Sequence, residues 1–575
     1  MPDGDQKFWF NGSPVFSNNE GVDQKFWFEG LPAQGIFPAA IIPVPIVPPI
    51  AVIPKTLVAV EIDLHDGTVV ETLRLASGLV PLAATVDGVR VQYDPRLYVP
   101  LQFGTRISGE QYGEPLRGEV NAGQIDFALD ETIWPKLEYH WKGRALRVYL
   151  AAPGDDHDDF ELVFTGRVDE LTHDTLTGKI KTLAGIAALD GPIVSDLYGD
   201  DAPEALRGRP KPELRGERKC IAPTLIDGVA QIYQVSRLPL AEITEVRVGG
   251  VPWQEAASPP GDGEWSADLA AGKFQLGQDS LGMEVRCDAR GADWATLTTA
   301  ALMTALVTEA GGTVDTAAMA ALDAAAPYLI GFYTGTDPVN RFDGFDRIMG
   351  GLGGWWTERM VDGAVTAGVQ ADTTTASRTL TALSIGAANQ TQLVPPAWRI
   401  RIEHSGNEHP QTNFPPDTAV SEADQQKWRS TGIAVVVFED ASIKTAEPLA
   451  VDVPLIPSLV NNEADALSIG ARLIPAWTVA RKLYEVVDRD NLLASDEMPA
   501  LYDTIGVQYR MINAVARVHS VLRSVGGGAN AVQLWSEQLP TAALYAIAHP
   551  GALTEDDGFA VLFEDDVVTP LTEDA

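Results

Sequence analysis

Alternating apolar and polar residues predict antiparallel β structure in the first part of the chain. Residues 58–64 (Val-Ala-Val-Glu-Ile-Asp-Leu) alternate, and Asp66-Gly67 follows them as a typical hairpin turn. Further strands are predicted at 124–129, 145–150, 160–168 and 179–183. Short strands at this spacing are typical of a β-barrel or sandwich. Residues 215–290 are predicted to continue as a smaller β unit.

A helical pattern replaces the β pattern after residue 290. Residues 294–310 are rich in Ala, Leu and Thr and end at Gly311-Gly312, and residues 315–326 are rich in alanine. Asp337-Pro338 is predicted to open a third helix, which ends in the glycine cluster 350–354. With a strand or hairpin at 361–369, these segments predict a compact α/β insert.

The β pattern returns near residue 398 and contains a possible repeat. Strands are predicted at 398–402, 432–438, 483–487, 503–509, 514–521 and 531–535, with an amphipathic helix at 463–476. Gly-Arg-Val-Asp-Glu-Leu at 166–171, followed by a turn and 179–183, is similar to Ala-Arg-Val-His-Ser-Val at 516–521, followed by a turn and 531–535. The similarity has two alternative explanations, chance and a duplication of the β-barrel.

The N-terminus contains a clear aromatic repeat. Asp-Gln-Lys-Phe-Trp-Phe at 5–10 returns at 23–28, and each copy is a short alternating strand before a turn. Three explanations remain open: docking on a neighbouring subunit, a hydrophobic cap on the same chain, and carbohydrate binding by the tryptophans. The candidate partner-binding residues are Phe8, Trp9, Phe10, Phe26, Trp27 and Phe28.

Residues 37–54 are almost wholly apolar but contain six prolines. Each interior proline removes a helical hydrogen bond at a cost of about 3 kcal/mol, and lipid-exposed backbone does not tolerate so many. This segment is therefore predicted to be an extended polyproline arm, with no stable membrane insertion. No signal peptide is expected, because the N-terminus is acidic and polar.

Composition narrows the classes of function. The 575-residue chain predicts three to five domains, and its net charge of −37 disfavours binding to phosphate backbones or anionic membranes. Cys220 and Cys287 have no metal-ligand spacing; two ordinary thiols are expected, although a disulfide between them is possible.

Candidate chemistry is weak throughout the sequence. The run Asp155-Asp156-His157-Asp158-Asp159 lacks EF-hand spacing and is interpreted as a solvated turn rather than a calcium site. His404 and His409 lack the spacing of a zinc hydrolase helix, and there is no serine nucleophile elbow or phosphate loop. We therefore predict no enzyme activity, catalytic residue, cofactor or metal. One basic run is interpreted as contacting an acidic patch on a neighbouring subunit, with nucleic-acid contact as the weaker alternative: Arg207, Arg209, Lys211, Arg215, Arg218 and Lys219.

The order of several motifs resembles the tail hub (baseplate hub) proteins of long-tailed, siphovirus-like bacteriophages. The resemblance covers about residues 56–540. Its motifs are Leu-Asp-Gly-Pro-Ile at 189–193, Leu-Tyr-Gly-Asp at 197–200, Leu-Arg-Gly-Arg-Pro-Lys-Pro at 206–212, Ile-Tyr-Gln-Val at 232–235, Ile-Thr-Glu-Val-Arg-Val-Gly-Gly at 243–250, Gly-Lys-Phe-Gln-Leu at 272–276 and Val-Arg-Cys-Asp-Ala-Arg-Gly at 285–291. The segments 341–356, 399–411 and 464–486 continue the likeness.

This resemblance implies a mainly β fold with an α/β insert: two similar antiparallel β-barrel domains plus smaller inserted domains. It implies a homotrimer, hence a threefold ring with pseudo-sixfold symmetry, at the distal end of the phage tail. Its expected partners are the distal tail or tail tube proteins and the tip or fibre proteins, with phage DNA passing through unbound. The expected domains are 1–55 (aromatic and proline-rich arm), 56–200 (first barrel), 201–290 (small β), 291–395 (α/β insert), 396–540 (second barrel) and 541–575 (acidic tail).

Two alternative functions remain. The chain could be a tail-tip receptor-binding or cell-wall carbohydrate-binding protein, with the aromatic repeats as sugar platforms. It could also be a peptidoglycan hydrolase carried on a hub, although no motif indicates one.

Overall fold

The computed structural model describes residues 57–99, 101–108, 112, 116–121, 123–152, 154–185, 189–370, 376–381, 383–414, 420–429, 434–488, 499–510, 512–525, 531–537 and 560–563. Strands predominate. In chain order they are β1 (Leu57–His65), β2 (Val70–Ala76), β3 (Leu82–Val86), β4 (Val89–Tyr93), β5 (Leu101–Ser108), β6 (Leu116–Asn121), β7 (Gln124–Ala128), β8 (Ala145–Ala151), β9 (Glu161–His173), β10 (Thr177–Ala184), β11 (Glu213–Arg215), β12 (Glu217–Ile221), β13 (Thr224–Asp227), β14 (Ile232–Gln234), β15 (Leu240–Val248), β16 (Val251–Glu255), β17 (Glu264–Asp268), β18 (Lys273–Leu276), β19 (Val285–Gly291), β20 (Phe332–Thr334), β21 (Gly354–Glu358), β22 (Val365–Val369), β23 (Arg378–Thr381), β24 (Ile385–Val394), β25 (Ala397–His404), β26 (Ala434–Glu439), β27 (Val451–Asp452), β28 (Arg481–Asp488), β29 (Thr504–Tyr509), β30 (Ile512–Val525), β31 (Ala531–Glu537) and β32 (Ala560–Phe563).

The helices are fewer than the strands. They are α1 (Thr299–Glu309), α2 (Thr316–Ala325), α3 (Arg341–Gly350), α4 (Glu422–Arg429), α5 (Ala441–Ala446) and α6 (Glu463–Trp477). None of the helices in the described ranges combines the length and the apolar character that crossing a membrane requires.

The first large sheet is antiparallel and has six strands in the order β2-β1-β8-β9-β10-β7. Residues 58–62 of β1 are all buried because both faces of the sheet are covered. One face packs into a core with Phe127 and Phe164. On the other face the β3–β4 hairpin covers Glu61, which accepts hydrogen bonds from Arg74 Nε (3.1 Å) and Tyr93 Oη (2.8 Å).

The second large sheet combines strands from distant parts of the chain. Its order is β22-β21-β6-β5-β30-β31-β28-β24, and β29 with β23 joins the free side of β30. The hairpin β5–β6 precedes β7 in sequence, yet it pairs with β30 more than 390 positions later. Both large sheets curl into half-barrels, so the prediction of a mainly β chain with two similar β-barrel domains is confirmed.

Two further cores complete the described chain. An eight-stranded sheet, in the order β12-β19-β15-β16-β17-β18-β14-β13, encloses Trp265 and a stacked Tyr233–Phe274 pair. Helices α1, α3 and α6 pack with β21, β25 and β26 around Trp356 and Phe438, which are almost fully buried.

Most predicted elements are present, but two helices begin later than the pattern suggested. Thr298 caps α1 by accepting a hydrogen bond from the Ala301 amide, so the helix starts at Thr299 rather than near 294. Asn340 caps α3 in the same way through the Phe342 amide (2.8 Å), so Asp337-Pro338 lies outside it. In both cases the capping side chain, rather than the apolar pattern, determines the first helical residue.

Candidate functional site: two sheet units in matched register

The described chain contains the same four-stranded antiparallel unit twice. The first unit has the order β7-β10-β9-β8, and the second has the order β28-β31-β30-β29. The strands occur in corresponding chain order within each unit. Because this four-stranded unit is repeated, it is the strongest candidate for the part of the molecule that carries its function.

The residue pairing of the two units matches along the β7–β10 and β9–β10 ladders and over the first four pairs of the β8–β9 ladder. After Val148 a register shift in the first unit, which the described β29–β30 ladder lacks, ends the match. Each strand of the first unit corresponds to one strand of the second by a constant difference in residue number. The difference is 361 for β7 and β28, 359 for β8 and β29, 350 for β9 and β30, and 352 for β10 and β31. The corresponding cross-strand pairs are Ile125↔Ile180 and Val486↔Val532, Ile180↔Leu171 and Val532↔Val521, and Ala145↔Arg167 and Thr504↔Arg517.

A β-bulge occurs at the same position in both units. In the first unit the register passes from Glu170 directly to Val168, which leaves Asp169 unmatched on β9. In the second unit it passes from Ser520 to Val518 and leaves His519 unmatched on β30. An extra residue on one strand bends it and increases its twist, so matched bulges give both sheets the same local curvature.

The turn that leads into β8 and β29 is matched as well. The Gly143 amide donates to the Val168 carbonyl (2.7 Å), and the Tyr502 amide donates to the Val518 carbonyl (2.9 Å). Gly143 has a φ of 76° and Tyr502 a φ of 66°. A left-handed conformation is costly for tyrosine, so its presence at the matched position shows that the turn geometry is shared although the residue type is not.

The environments of the two bulges differ. Asp169 pairs with Lys181 on the adjacent strand at 3.2 Å, and Lys181 is exposed. His519 is 3% exposed. Burial lowers the pKa of His519 to about 3, helped by the nearby positive charges of Arg106 and Arg481. The first bulge therefore carries charge at the surface, whereas the second holds a neutral imidazole inside the protein.

The sequence contained part of this signal. Only the β9–β10 and β30–β31 similarity was evident from residue types. The bulges, the shared turn and the remaining two ladders depend on backbone pairing, which the residues of β7, β8, β28 and β29 do not reveal by identity. The structure thus extends a weak two-strand likeness to a full four-strand correspondence.

A buried ionic junction lies away from the two units and joins the small β sheet to the helical core. Glu408, after β25, accepts hydrogen bonds from Arg218 Nη2 (2.6 Å) on β12 and Arg347 Nη2 (2.9 Å) on α3. Burial opposes ionisation of Glu408, but the two guanidinium groups outweigh it and hold its pKa below the ordinary value.

Most of the basic run has acidic partners within this chain. Four of its members make ion pairs with carboxylates of the same chain: Arg209 with Asp337, Lys211 with Asp196, Arg215 with Glu213 and Glu309, and Arg218 with Glu408. The Arg215–Glu309 pair links β11 to α1, and the Arg218–Glu408 pair links β12 to the segment after β25, so these two arginines hold elements of the same chain together.

The two candidate histidines have separate contacts. His409 Nδ1 accepts a hydrogen bond from the Ala222 amide (3.2 Å), and burial lowers the pKa of His409. His404 Nδ1 lies 3.3 Å from Ser405 Oγ. Across the ranges that the structure describes, no group of three or more His, Cys, Asp or Glu side chains is arranged to hold a metal ion.

The structure describes some of the remaining candidate residues but not others. Residues 157–159 of the acidic run form a short 3₁₀ turn, and Cys220 and Cys287 are buried free thiols. The six aromatic partner-binding candidates lie outside the described residues: Phe8, Trp9, Phe10, Phe26, Trp27 and Phe28.

No protein-family model matches the chain, and no curated protein sequence matches it. Several solved structures show a partial likeness, and those described below are phage tail proteins. The 43 kDa tail protein of prophage MuSo2 from Shewanella oneidensis is 11% identical, with 80% of this chain and 98% of that chain covered, at a TM-score of 0.35. A tail protein from Neisseria meningitidis MC58 is 9% identical, with 80% and 96% covered, at 0.34. Prophage tail protein gp18 from Listeria monocytogenes EGD-e is 9% identical, with 79% and 94% covered, at 0.28.

Proposed function

We propose that this chain is a structural protein of a bacteriophage tail, the hub that joins the tail tube to the distal tip. Three copies form a ring in the virion and enclose the channel through which DNA leaves. The protein works by assembly, without catalysis. This proposal rests on the motif order in the sequence and on the repeated unit.

The matching register of the two units is the observation that carries the proposal. A chain with two equivalent units presents two equivalent surfaces, so three chains in a head-to-tail ring present six. Such a ring can meet a sixfold partner on one side and a threefold partner on the other. One unit per chain would give only threefold symmetry, and a single monomer has no evident need for two units of matched curvature.

Charge supports a channel that DNA crosses without binding. The net charge of −37 makes the protein as a whole repel phosphate groups. Four cations of the basic run are paired with carboxylates of the same chain. We therefore propose that DNA slides through the ring, with no stable complex.

We also propose that the N-terminal aromatic repeats bind a neighbouring tail subunit. Phe8, Trp9 and Phe10, and their copies Phe26, Trp27 and Phe28, provide large apolar side chains within short alternating segments. Such segments bind partners by adding a strand to a sheet edge. Removing residues 1–55 should then reduce incorporation into tails and leave the ring itself intact.

Three measurements test the hub. Light scattering of the purified chain should give three times 61.7 kDa, and electron microscopy should show rings with a central opening. Immunogold labelling should place the chain at the distal end of the tail in intact virions. Label along the tail tube or on the capsid would refute the hub role. Specific binding on a glycan array that disappears without residues 1–55 would favour the carbohydrate-binding alternative.

A further inference from the structure

The two units differ at one sheet edge. In the second unit, residues 520–525 of β30 pair with β5, and Leu522 lies opposite Gly104. The matching edge of the first unit is residues 170–173 of β9, where Thr172 corresponds to Leu522 by the difference of 350. Within the described ranges, β9 pairs only with β8 and β10, and Thr172 is exposed. One unit therefore has an additional strand where the other presents an open edge.

A second edge is open at the other end of the large sheet. Strand β24 is ten residues long and pairs only with β28 among the described strands. Its sequence contains no charged residue and no proline, and Leu393 is 58% exposed. Natural proteins usually protect long edge strands with charges, prolines or a covering element, because an open edge recruits other strands. A long uncharged edge therefore indicates that another strand covers it.

Strands β5 and β24 occupy corresponding places in the two units. Strand β5 pairs with β6, which runs into β7, and Gly104 lies opposite Asn121. Adding the difference of 361 that relates β7 to β28 makes Lys482 the counterpart of Asn121. Leu393 lies opposite Lys482. Leu393 on β24 is thus the counterpart of Gly104 on β5.

Given the proposed ring, we propose that β24 of one copy pairs with the open edge of β9 in the next copy. The pairing is antiparallel and repeats the contact of β5 with β30 inside each chain. It places Leu393 opposite Thr172 of the neighbouring copy. Three such contacts between chains, alternating with three β5–β30 contacts within chains, close a ring of six units. The occupant of each open edge is a second copy of this chain.

Burial along one row of side chains supports this register. In the second unit Val532, Val521 and Thr105 lie side by side across three strands and are 1%, 4% and 7% exposed. The matching row of the first unit is Ile180 and then Leu171, which is only partly buried at the open edge. The proposed pairing adds Val394 of the next copy beside Leu171 and completes the row.

A cysteine pair tests the contact. Opposed residues on antiparallel strands have Cα atoms about 4.5–5.5 Å apart, a separation that a disulfide spans. The Thr172→Cys, Leu393→Cys double variant of the full chain should give covalent trimers on mild oxidation, seen on non-reducing gels. An equal mixture of the two single variants should give covalent dimers. Thr172→Cys with Leu449→Cys is the matched control, since Leu449 is 79% exposed and lies outside the proposed contact.

Light scattering before oxidation separates this inference from the proposed function. A trimer whose double variant cross-links at least tenfold more than the control supports the contact. A trimer with no excess cross-linking overturns the strand pairing and leaves the ring standing. A chain that stays monomeric and does not cross-link overturns both. Melting curves of the reduced variants should match those of the wild type, because neither substituted side chain lies in a core of its own chain.

Discussion

Replacing Glu408 with glutamine should loosen the junction between the small β sheet and the helical core. The Glu408 side chain is 10% exposed and that of Arg218 is 5% exposed. Arg218 donates to Glu408 from both Nε (2.9 Å) and Nη2 (2.6 Å). Glutamine keeps the size of the side chain but removes the charge, and its amide nitrogen cannot accept a hydrogen bond from a guanidinium group.

The expected loss of stability follows from the burial of the Arg218–Glu408 ion pair. Removing one member of a buried ion pair typically costs about 3–5 kcal/mol, because the remaining charge stays desolvated and unpaired. Arg347 is 37% exposed and is partly hydrated after the change, so most of the loss comes from Arg218. We expect about 3 kcal/mol, which corresponds to an increase of roughly a hundredfold in the local opening equilibrium, since about 1.4 kcal/mol is a factor of ten.

Hydrogen exchange of backbone amides in β12 and α3 measures this opening directly. Glu242→Gln is the control, because Glu242 pairs with Arg290 at 2.8 Å but is 53% exposed, and exposed pairs contribute about 0–1 kcal/mol. Equal exchange rates in the Glu408 and Glu242 variants would refute the claim that burial makes the junction strong.

The same junction should be sensitive to acid. The pKa of Glu408 is lower in the folded chain than its ordinary value, so its stabilising effect is present above the unfolded pKa of about 4.3. The effect is lost as the pH falls through the folded pKa. Glu408→Gln should therefore flatten the acid side of the stability profile; an unchanged profile would contradict the assigned pairing.

Three other predictions follow from packing and burial. Gly470→Ala should cost about 1–3 kcal/mol by overpacking, measured by thermal unfolding, because an added Cβ would lie 2.0 Å from Phe438 Cε2. His519→Gln should reduce the loss of stability below pH 6.5, because the pKa of His519 is lowered to about 3 and the wild-type histidine takes up a proton when it unfolds. Cys220 and Cys287 should react with a thiol reagent only after denaturation, since both are buried free thiols and burial raises the pKa of Cys220 to about 11.

A control variant or a contradicting outcome checks each of these predictions. Ser468→Ala changes an exposed position on the same helix as Gly470 and should leave the melting temperature nearly unchanged. Acid unfolding of His519→Gln that matches the wild type would show that the imidazole is not buried in neutral form. Rapid labelling of two thiols in the native protein would contradict the burial of the cysteines, and absence of free thiols after denaturation would indicate a disulfide.

The sequence predicted local elements well wherever one face of a strand or helix is buried. The alternation in β10 and the helix pattern of α6 are set by which residues point toward a core, and this periodicity is visible in a short window. The cap at Asn340 and the bulges at Asp169 and His519 were missed. They depend on single hydrogen bonds and on cross-strand register, which apolar periodicity does not encode.

Long-range partners were decided only in three dimensions. The hairpin β5–β6 pairs with β30 from the far end of the chain, and Arg218 pairs with Glu408 across 190 positions. By itself, the sequence determined the strand-rich class, the helical insert, the likeness of two hairpins and a resemblance to tail hubs. The tertiary structure decided that two four-stranded units share one register over most of their ladders, because strand pairing is selected by backbone hydrogen bonds and packing between segments that are distant in the chain.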